Sequence, residues 1–200
     1  MSYYTQLSAA QLAILAAAVN ADAAFNGVSH DGGGATIIMT AFNQIDASNT
    51  EFWWSATPVA NILNAITFAN YTPNDAIPTD TQLNASIWLN RAQAAQVKQL
   101  NLQIMLTGQS VFNALPVNSR AGLRDAVIQV PTGASGAMVS PGGASGATVL
   151  TACLRPTLAT RAEKLFSSGA STTGTVTADV PTFQGQISYY DALAAMGWIG

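Results

Sequence analysis

A shortage of charged side chains constrains this chain more than any other feature of its sequence. Seven Lys and Arg and ten Asp and Glu make up 8% of its 200 residues, whereas about a quarter is usual for soluble domains. Apolar residues are 49%, which excludes disorder driven by charge repulsion. The folded surface must therefore be covered by Asn, Gln, Ser, Thr and Ala, or by other subunits. We favour cover by other subunits.

The few charges are unevenly distributed along the chain. Residues 1–90 hold six acids and no base, a net −6, and residues 91–200 hold all seven bases with four acids, a net +3. Such an asymmetry can orient a head-to-tail contact between neighbouring copies, whereas a nucleic-acid binder would usually carry a dense basic stripe. We therefore expect a homo-oligomer, and no sequence-specific binding of nucleic acid.

Apolar residues spaced by three or four predict that most of the chain is helical. The strongest helix runs from a cap at Thr79 or Asp80 to Gly108. Its inward face is predicted to be Leu83, Ile87, Ala94, Val97, Leu100 and Ile104. Other predicted starts are a capping box of Ser8 with Gln11, the dipeptide Thr57-Pro58 with Thr57 as cap, and Asn118. Residues 29–34 are predicted to form a flexible connector, and 35–42 either a strand or a short helix, with the helix favoured.

The C-terminal third is less regular. Residues 131–147 contain Gly-Ala-Ser-Gly-Ala twice and predict a flexible Gly-rich arm. Residues 149–166 follow as one helix, with Pro156 kinking it or occupying its first turn. A β-hairpin of 173–180 with 182–188 and a short helix over 189–196 complete the chain.

The predicted fold class is mainly α, a helical bundle-like subunit with a long Gly/Ala/Ser-rich loop and a small C-terminal β-hairpin. We divide it into a mainly helical region over 1–130, the arm over 131–147, and a region over 148–200 with helix, hairpin and short C-terminal helix. At this length the chain forms one domain, or at most two small ones. No basic leader precedes an apolar run and no 18-residue apolar stretch occurs, so we expect neither a signal peptide nor a membrane span.

The residue types of enzyme and metal sites are scarce. Ser29, His30 and Asp31 are the types of a hydrolase triad, but neighbours in sequence cannot converge with the imidazole between the other two. One histidine, one cysteine and scattered carboxylates do not predict a metal site. We therefore predict no catalytic, cofactor-binding or metal-binding residues, and interpret Cys153 as a small buried apolar residue. A carboxylate pair for a lytic cell-wall hydrolase stays open among the ten acids.

Four residues are candidates for contacts between subunits. Arg120 and Arg124 are one helical turn apart, which suits either a solvated face or docking to an acidic neighbour. Arg161 suits a subunit contact or an internal bridge. Trp198, near the chain end, is an aromatic anchor that suits an interface, whereas Trp53 is favoured as a core residue.

Three stretches together resemble a family of small virion structural proteins of tailed bacteriophages and prophages. They are Glu51-Phe-Trp-Trp-Ser-Ala-Thr-Pro58 followed by Ile62-Leu-Asn-Ala-Ile66; Lys98-Gln-Leu-Asn-Leu-Gln-Ile104 leading to Asn118-Ser-Arg-Ala-Gly-Leu-Arg-Asp-Ala126; and Arg155-Pro-Thr-Leu-Ala-Thr-Arg-Ala-Glu-Lys-Leu-Phe166, continued by Phe183-Gln-Gly-Gln-Ile-Ser. The resemblance covers most of residues 50–195. Ser55 and Gln184 depart from the pattern, which has an arginine and a glutamate at these places.

The resemblance implies a structural part of the phage particle, without enzymatic activity or cofactor. Within the particle it favours the neck, where adaptor or connector rings, commonly dodecameric, lie between the portal protein and the tail or nozzle protein. Such a ring surrounds the path of the DNA at the head–tail junction of the virion, and it is assembled in the host cytoplasm. The alternatives are a capsid decoration protein and, in another class, the lytic hydrolase.

Overall fold

The computed structural model describes residues 5–79 and 82–198, and this part of the chain is about half helical. It contains eight α-helices: α1 (Ala9–Ala21), α2 (Gly32–Phe42), α3 (Val59–Asn64), α4 (Gln82–Leu106), α5 (Val117–Ala126), α6 (Ala147–Thr151), α7 (Arg161–Leu165) and α8 (Tyr189–Ala195). The strands are β1 (Thr57–Pro58), β2 (Val111–Phe112), β3 (Ser167–Thr173) and β4 (Val176–Pro181). They pair as β1 with β2 and β3 with β4 in two small antiparallel sheets.

The prediction of a mainly α chain with a small C-terminal hairpin is confirmed, and its arrangement as a helical bundle stays a prediction. By internal packing the chain forms two compact units. The first unit takes its described residues from 1–52, 156–170 and 179–200, and the second from 53–155 and 171–178. The predicted divisions at 130 and 147 do not coincide with these units. Among the described residues, no helix is both long and apolar enough to cross a membrane.

In the first unit, α2 and α8 pack against each other, and α1 packs on α8. The predicted capping box is confirmed, because Ser8 accepts a hydrogen bond from the Gln11 amide and Gln11 reaches back to the Ser8 amide. The expected connector over 29–34 is wrong in its second half, where α2 begins at Gly32. Asp31 caps this helix by accepting from the amides of Gly33 and Gly34, and residues 35–42 are helical as favoured.

In the second unit, Trp53, Ile62, Leu123 and Leu150 are fully buried. The prediction of Thr57 as a helix cap is wrong. Pro58 occupies the cap position of α3 without a side-chain bond, and the buried Thr57 hydroxyl instead donates within this unit, 3.4 Å from the Cys153 carbonyl oxygen. Beside a proline that already fixes φ, the hydroxyl is free to satisfy a buried carbonyl.

Residues 131–147 are folded onto the second unit, which corrects the prediction of a flexible arm. Val130 pairs with Val139 in an antiparallel bridge, and the Thr67 amide donates to the Pro141 carbonyl at 2.8 Å. Both copies of the pentapeptide form the same tight turn, with φ of 54° at Ser135 and at Ser145. Because a glycine with positive φ follows each serine, each turn places two successive residues in the left-handed region.

The single helix predicted over 149–166 is wrong. Helix α6 ends at Thr151, and α7 starts anew from a capping box in which Thr160 and Glu163 exchange hydrogen bonds. The predicted hairpin is displaced, because its first strand, 173–180, contains the turn at Gly174 (φ 61°) and most of β4. The pairing strand is β3, whose small polar residues lack the apolar alternation by which strands are recognised.

Candidate interaction surface

Arg120 lies on the inward face of α5, together with Leu123. Val127, which ends the helix, is buried on the same side. The Arg120 side chain is 0% exposed. It donates to the Ala114 carbonyl at 2.7 Å, to the Ser171 hydroxyl at 2.6 Å and to the Thr173 hydroxyl at 3.0 Å, and also to the Leu115 carbonyl. The guanidinium carbon lies 4.3 Å from the centre of the Trp53 ring. Arg120 offers no surface to another subunit, which corrects its prediction as an interface residue.

The neighbourhood of Arg120 confirms two predictions. Trp53 is a core residue at 0% exposure, and its indole N–H donates to the Ser171 carbonyl at 2.9 Å. Cys153 is buried and free, and burial raises the pKa of its thiol to about 12. At neutral pH the thiolate that reacts with oxidants and alkylating agents is therefore scarce.

The other three candidate contacts are also engaged inside the chain. In the second unit, Arg124 Nε donates to the Ser145 carbonyl at 3.0 Å. In the first unit, Arg161 pairs with Asp22 and stacks 4.5 Å from the Phe42 ring centre, so the internal bridge is confirmed. Trp198 stacks on the exposed His30 at 5.1 Å. The structure does not bring these residues into one site, and their contacts with a neighbouring subunit stay predictions.

Carboxylates are the place to look for an enzyme site, and two of the buried ones, Asp191 and Glu163, are bound by backbone groups. Asp191 accepts from the amides of Gln6, Leu7 and Ser188 at 2.7 to 3.0 Å. Glu163 accepts from the Thr160 and Gly185 amides, each at 2.9 Å. Each carboxylate satisfies backbone donors, so Asp191 holds the segment at Gln6 and Leu7, and Glu163 holds the turn at Gly185.

A serine, a lysine and an aspartate do meet in the first unit. The Lys164 ammonium and the Ser167 hydroxyl both donate to Asp179 Oδ2, at 2.7 and 2.9 Å. The cluster ties α7 to the hairpin. Within the described ranges, no three His, Cys, Asp or Glu side chains are grouped to hold a metal ion.

The long helix α4 is apolar on two sides. Its core side is formed by Ala95, Leu102 and Leu106, all under 10% exposed. The predicted inward face is wrong: Val97, Leu100 and Ile104, which we call the ridge, are 58%, 53% and 67% exposed, and so is half of Ile87. Leu83 lies outside the residues whose side chains are described. Spacing alone could not decide between two apolar sides of one helix.

A groove lies beside the ridge, between α4 and the segment that includes α3. It has a volume of about 260 Å³. Its walls are Val59, Leu63 and Phe68 on one side and, at the end of α4, Leu102, Gln103, Leu106 and Thr107 on the other. Leu63 and Phe68 are 39% and 44% exposed, so the groove opens to the outside of the unit. Sequence analysis missed it, because it joins residues about forty positions apart.

Neither the ridge nor the groove has a charged residue in its walls. The two described bases of α4 are engaged on other sides of the helix. Arg91 makes a bidentate pair with Asp75, both bonds at 2.8 Å, and Lys98 pairs with Asp125 at 3.1 Å. The exposed positions around the ridge are Asn90, Gln93, Ala94, Gln96, Asn101 and Gln103. This surface suits contact with another uncharged, apolar protein surface.

Comparison with protein families, with curated proteins and with solved structures finds no match to this chain.

Proposed function

We propose that this chain is a structural subunit of a tailed bacteriophage particle, a head-to-tail adaptor that forms a ring between the portal protein and the tail or nozzle protein. The observation that supports assembly is the uncharged apolar surface of ridge and groove on α4. The assignment to a phage neck rests on the resemblance of the three sequence stretches. The ring would lie at the head–tail junction, with the DNA passing through it.

The energetics favour a covered ridge. Burying an exposed aliphatic side chain contributes about 1.5–3 kcal/mol, and each ridge residue still has about half of this to gain, roughly 1 kcal/mol. A long helix that is apolar on opposite sides is typical of a helix packed on both. In a closed ring, every subunit covers such surfaces twice, once as donor and once as acceptor of the contact.

The structure changes the expected origin of the contact. The charge asymmetry along the sequence suggested electrostatic orientation between copies. Arg91, Lys98, Arg120, Arg124 and Arg161 all bind groups of their own unit, so few cations are left to steer a neighbour. We therefore propose a contact that is mainly apolar, with hydrogen bonds from the surrounding Asn and Gln, and that depends weakly on salt.

Reconstitution with the portal protein tests this function. The purified chain is mixed with portal and examined by electron microscopy with class averaging, with portal alone as control. Cyclic density added at one end of the portal supports the proposal, and an averaged image of the particle neck gives the ring number. Sedimentation with empty heads that lack a portal would replace it by a decoration protein. Lytic activity that one carboxylate substitution abolishes would replace it by a hydrolase.

A further inference from the structure

We propose that Asn26 is a modification site of the folded chain, at which the side-chain amide is lost as ammonia and a carboxylate takes its place. The site lies in the first unit, in the segment between α1 and α2. This deamidation goes beyond the proposed function and does not depend on it, because the reaction requires only the chain and water.

Asn26 differs from the other asparagines of the sequence in the residue that follows it. It is the one asparagine that precedes a glycine. The nucleophile of the reaction is the backbone nitrogen of the following residue, and glycine has no side chain that hinders its approach. Because a folded backbone can still block this approach, the reactivity of the pair depends on how the structure holds the peptide group between Asn26 and Gly27.

The turn holds this peptide group weakly. Asn26 has φ −62° and ψ 121°, and Gly27 has φ 81°. These angles define a type II turn, which the Val28 amide closes by donating to the Phe25 carbonyl at 3.2 Å. Neither the carbonyl of Asn26 nor the amide of Gly27 has a hydrogen-bond partner among the described residues. The peptide group that they form can therefore rotate without breaking a hydrogen bond of the fold.

The surroundings leave room for the attack. Both Asn26 and Gly27 are exposed, and a Cβ added to Gly27 would meet no described atom within 4 Å. Within the described ranges, the carboxamide of Asn26 has no hydrogen-bond partner. Rotation about ψ of Asn26 brings the Gly27 nitrogen toward Cγ of Asn26, and neither group has to leave a partner first.

The bonds of the reaction balance with water as the co-reactant. The Gly27 nitrogen loses its proton to solvent and forms a bond to Cγ of Asn26, and the bond from Cγ to the side-chain nitrogen breaks. That nitrogen takes up a proton and leaves as ammonia, and a cyclic imide remains in the backbone. Water then opens the imide at one of its two carbonyl carbons, which gives aspartate or isoaspartate. Neither step oxidises or reduces the chain.

The pair of Asp31 and Gly32 provides a contrast within the same unit. An aspartate before a glycine can form the same imide with loss of water, and water can reopen it as isoaspartate. The Asp31 carboxylate, however, accepts from the amides of Gly33 and Gly34 at 2.8 and 3.1 Å. Its backbone carbonyl accepts from the Ala35 amide at 3.1 Å, so this peptide group cannot rotate without opening the first turn of α2. The fold thus protects this second pair.

The product changes the charge of a small cavity in the first unit. Asn26 lines a cavity of about 190 Å³ together with His30 and Trp198, whose rings stack at 5.1 Å. The modification gives this cavity a carboxylate, which none of its other described lining residues has. It also adds a negative charge to a chain whose formal net charge is −3. Ion-exchange chromatography should therefore separate the modified chain from the fresh one.

Incubation of the full chain in mildly alkaline buffer, both folded and in urea, tests the inference. Peptide mapping by mass spectrometry locates the loss of ammonia, and labelling with a protein isoaspartate methyltransferase locates isoaspartate. In the folded chain we expect Asn26 to react at least tenfold faster than any other asparagine, and less than tenfold slower than it reacts in urea. Isoaspartate should form at position 31 only in urea.

Reaction of Asn26 more than tenfold slower in the folded chain than in urea would overturn the inference, as would earlier loss of ammonia from another asparagine. Isoaspartate forming equally fast at position 31 of the folded chain would also overturn it, because the hydrogen bonds of the peptide group would then not decide reactivity. Asn26→Gln is the matched variant at this exposed position, since the longer side chain closes a cyclic imide less readily. The acidic form should be absent from this variant at unchanged circular dichroism, and its persistence would assign the modification to another residue.

Discussion

The two units use ions of opposite charge to bind the backbone of their irregular segments. In the first unit, the buried carboxylates of Asp191 and Glu163 accept hydrogen bonds from backbone amides, some of them far away in sequence. In the second unit, the guanidinium groups of Arg91, Arg120 and Arg124 donate to backbone carbonyls. Each unit thus uses the ion whose hydrogen bonds match the backbone groups that its loops leave unpaired.

This difference teaches why a chain with 8% charged residues can still fold with irregular segments. Each buried ion satisfies several peptide groups that no helix or sheet pairs, and a hydrogen bond to a charged group contributes about 1.5–3 kcal/mol. These buried charges are therefore part of the internal frame. Much of the outer surface is therefore made of amides, hydroxyls and apolar side chains. The ridge on α4 is part of this uncharged surface.

The largest loss of unfolding free energy is expected for Arg120→Met. The thioether chain keeps much of the volume under Trp53 but cannot donate to the Ala114 and Leu115 carbonyls. Each buried carbonyl left without a donor costs about 1–3 kcal/mol, so we expect a loss of roughly 3–5 kcal/mol of unfolding free energy, which urea denaturation measures. The control is Arg124→Met, at a partly exposed arginine, with an expected loss under about 1 kcal/mol. Similar losses in both variants would show that the buried hydrogen bonds of Arg120 stabilise the fold no more than the partly exposed contact of Arg124.

A somewhat smaller effect is expected for Asp191→Asn in the first unit. The aspartate is 0% exposed and receives bonds from Gln6, Leu7 and Ser188. An amide keeps one accepting oxygen, so one side of the group faces unmatched donors, and we expect a loss of about 2–3 kcal/mol. The matched variant is Glu51→Gln at an exposed carboxylate, where the midpoint in urea should be unchanged. An equally stable Asp191→Asn would contradict the role of carboxylates in this unit.

The comparison also predicts a difference between helix starts. Thr160→Ala removes the capping box of α7 in the first unit and should cost about 1 kcal/mol. Helix α5 in the second unit starts after Pro116 without a side-chain cap, so Ser119→Ala should leave stability unchanged or raise it by a few tenths of a kcal/mol, because alanine has the higher helix propensity. Differential scanning calorimetry separates the two, and a larger loss for Ser119→Ala would reverse this assignment of caps.

The smallest effect concerns acid pH and the pair of Asp75 with Arg91. The hydrogen bonds from Arg91 hold the pKa of Asp75 below its usual 3.8. A carboxyl whose pKa is lower in the folded than in the unfolded state stabilises the fold above its unfolded pKa and loses this as the pH falls through the folded value. Stability should therefore drop below about pH 4, and less so in Asp75→Asn. Arg91→Gln should flatten the profile equally, and unequal profiles would show that the pair does not act as a unit.

Sequence reasoning predicted the elements better than their faces. Helices that begin with a capping signal, such as α1 at Ser8, were placed within a few residues, because the signal is local. The inward side of α4 was wrong, because both of its sides are apolar and only tertiary packing selects one. The capping box of Thr160 and Glu163 was overlooked in the sequence, although its Thr-x-x-Glu spacing was present.

The site was predictable only in kind. Low charge indicated a surface covered by other subunits, and the ridge and groove are a surface of that kind. The residues selected as contacts were the conspicuous arginines, and Arg120 was the most misleading because a buried cation without a carboxylate partner is rare. Its partners are carbonyl and hydroxyl oxygens, those of Ser171 and Thr173 from a distant segment. Such acceptors cannot be predicted from the spacing of residues in the sequence.

The repeated pentapeptide has a consequence for how this fold can change. Each copy is held by one arginine, since Arg91 donates to the Gly133 carbonyl and Arg124 to the Ser145 carbonyl. The Ser-Gly dipeptide sets the shape of each turn locally, whereas the arginine that binds its carbonyl comes from a helix elsewhere in the chain. A further copy of the turn would therefore also need a donor for its free carbonyl.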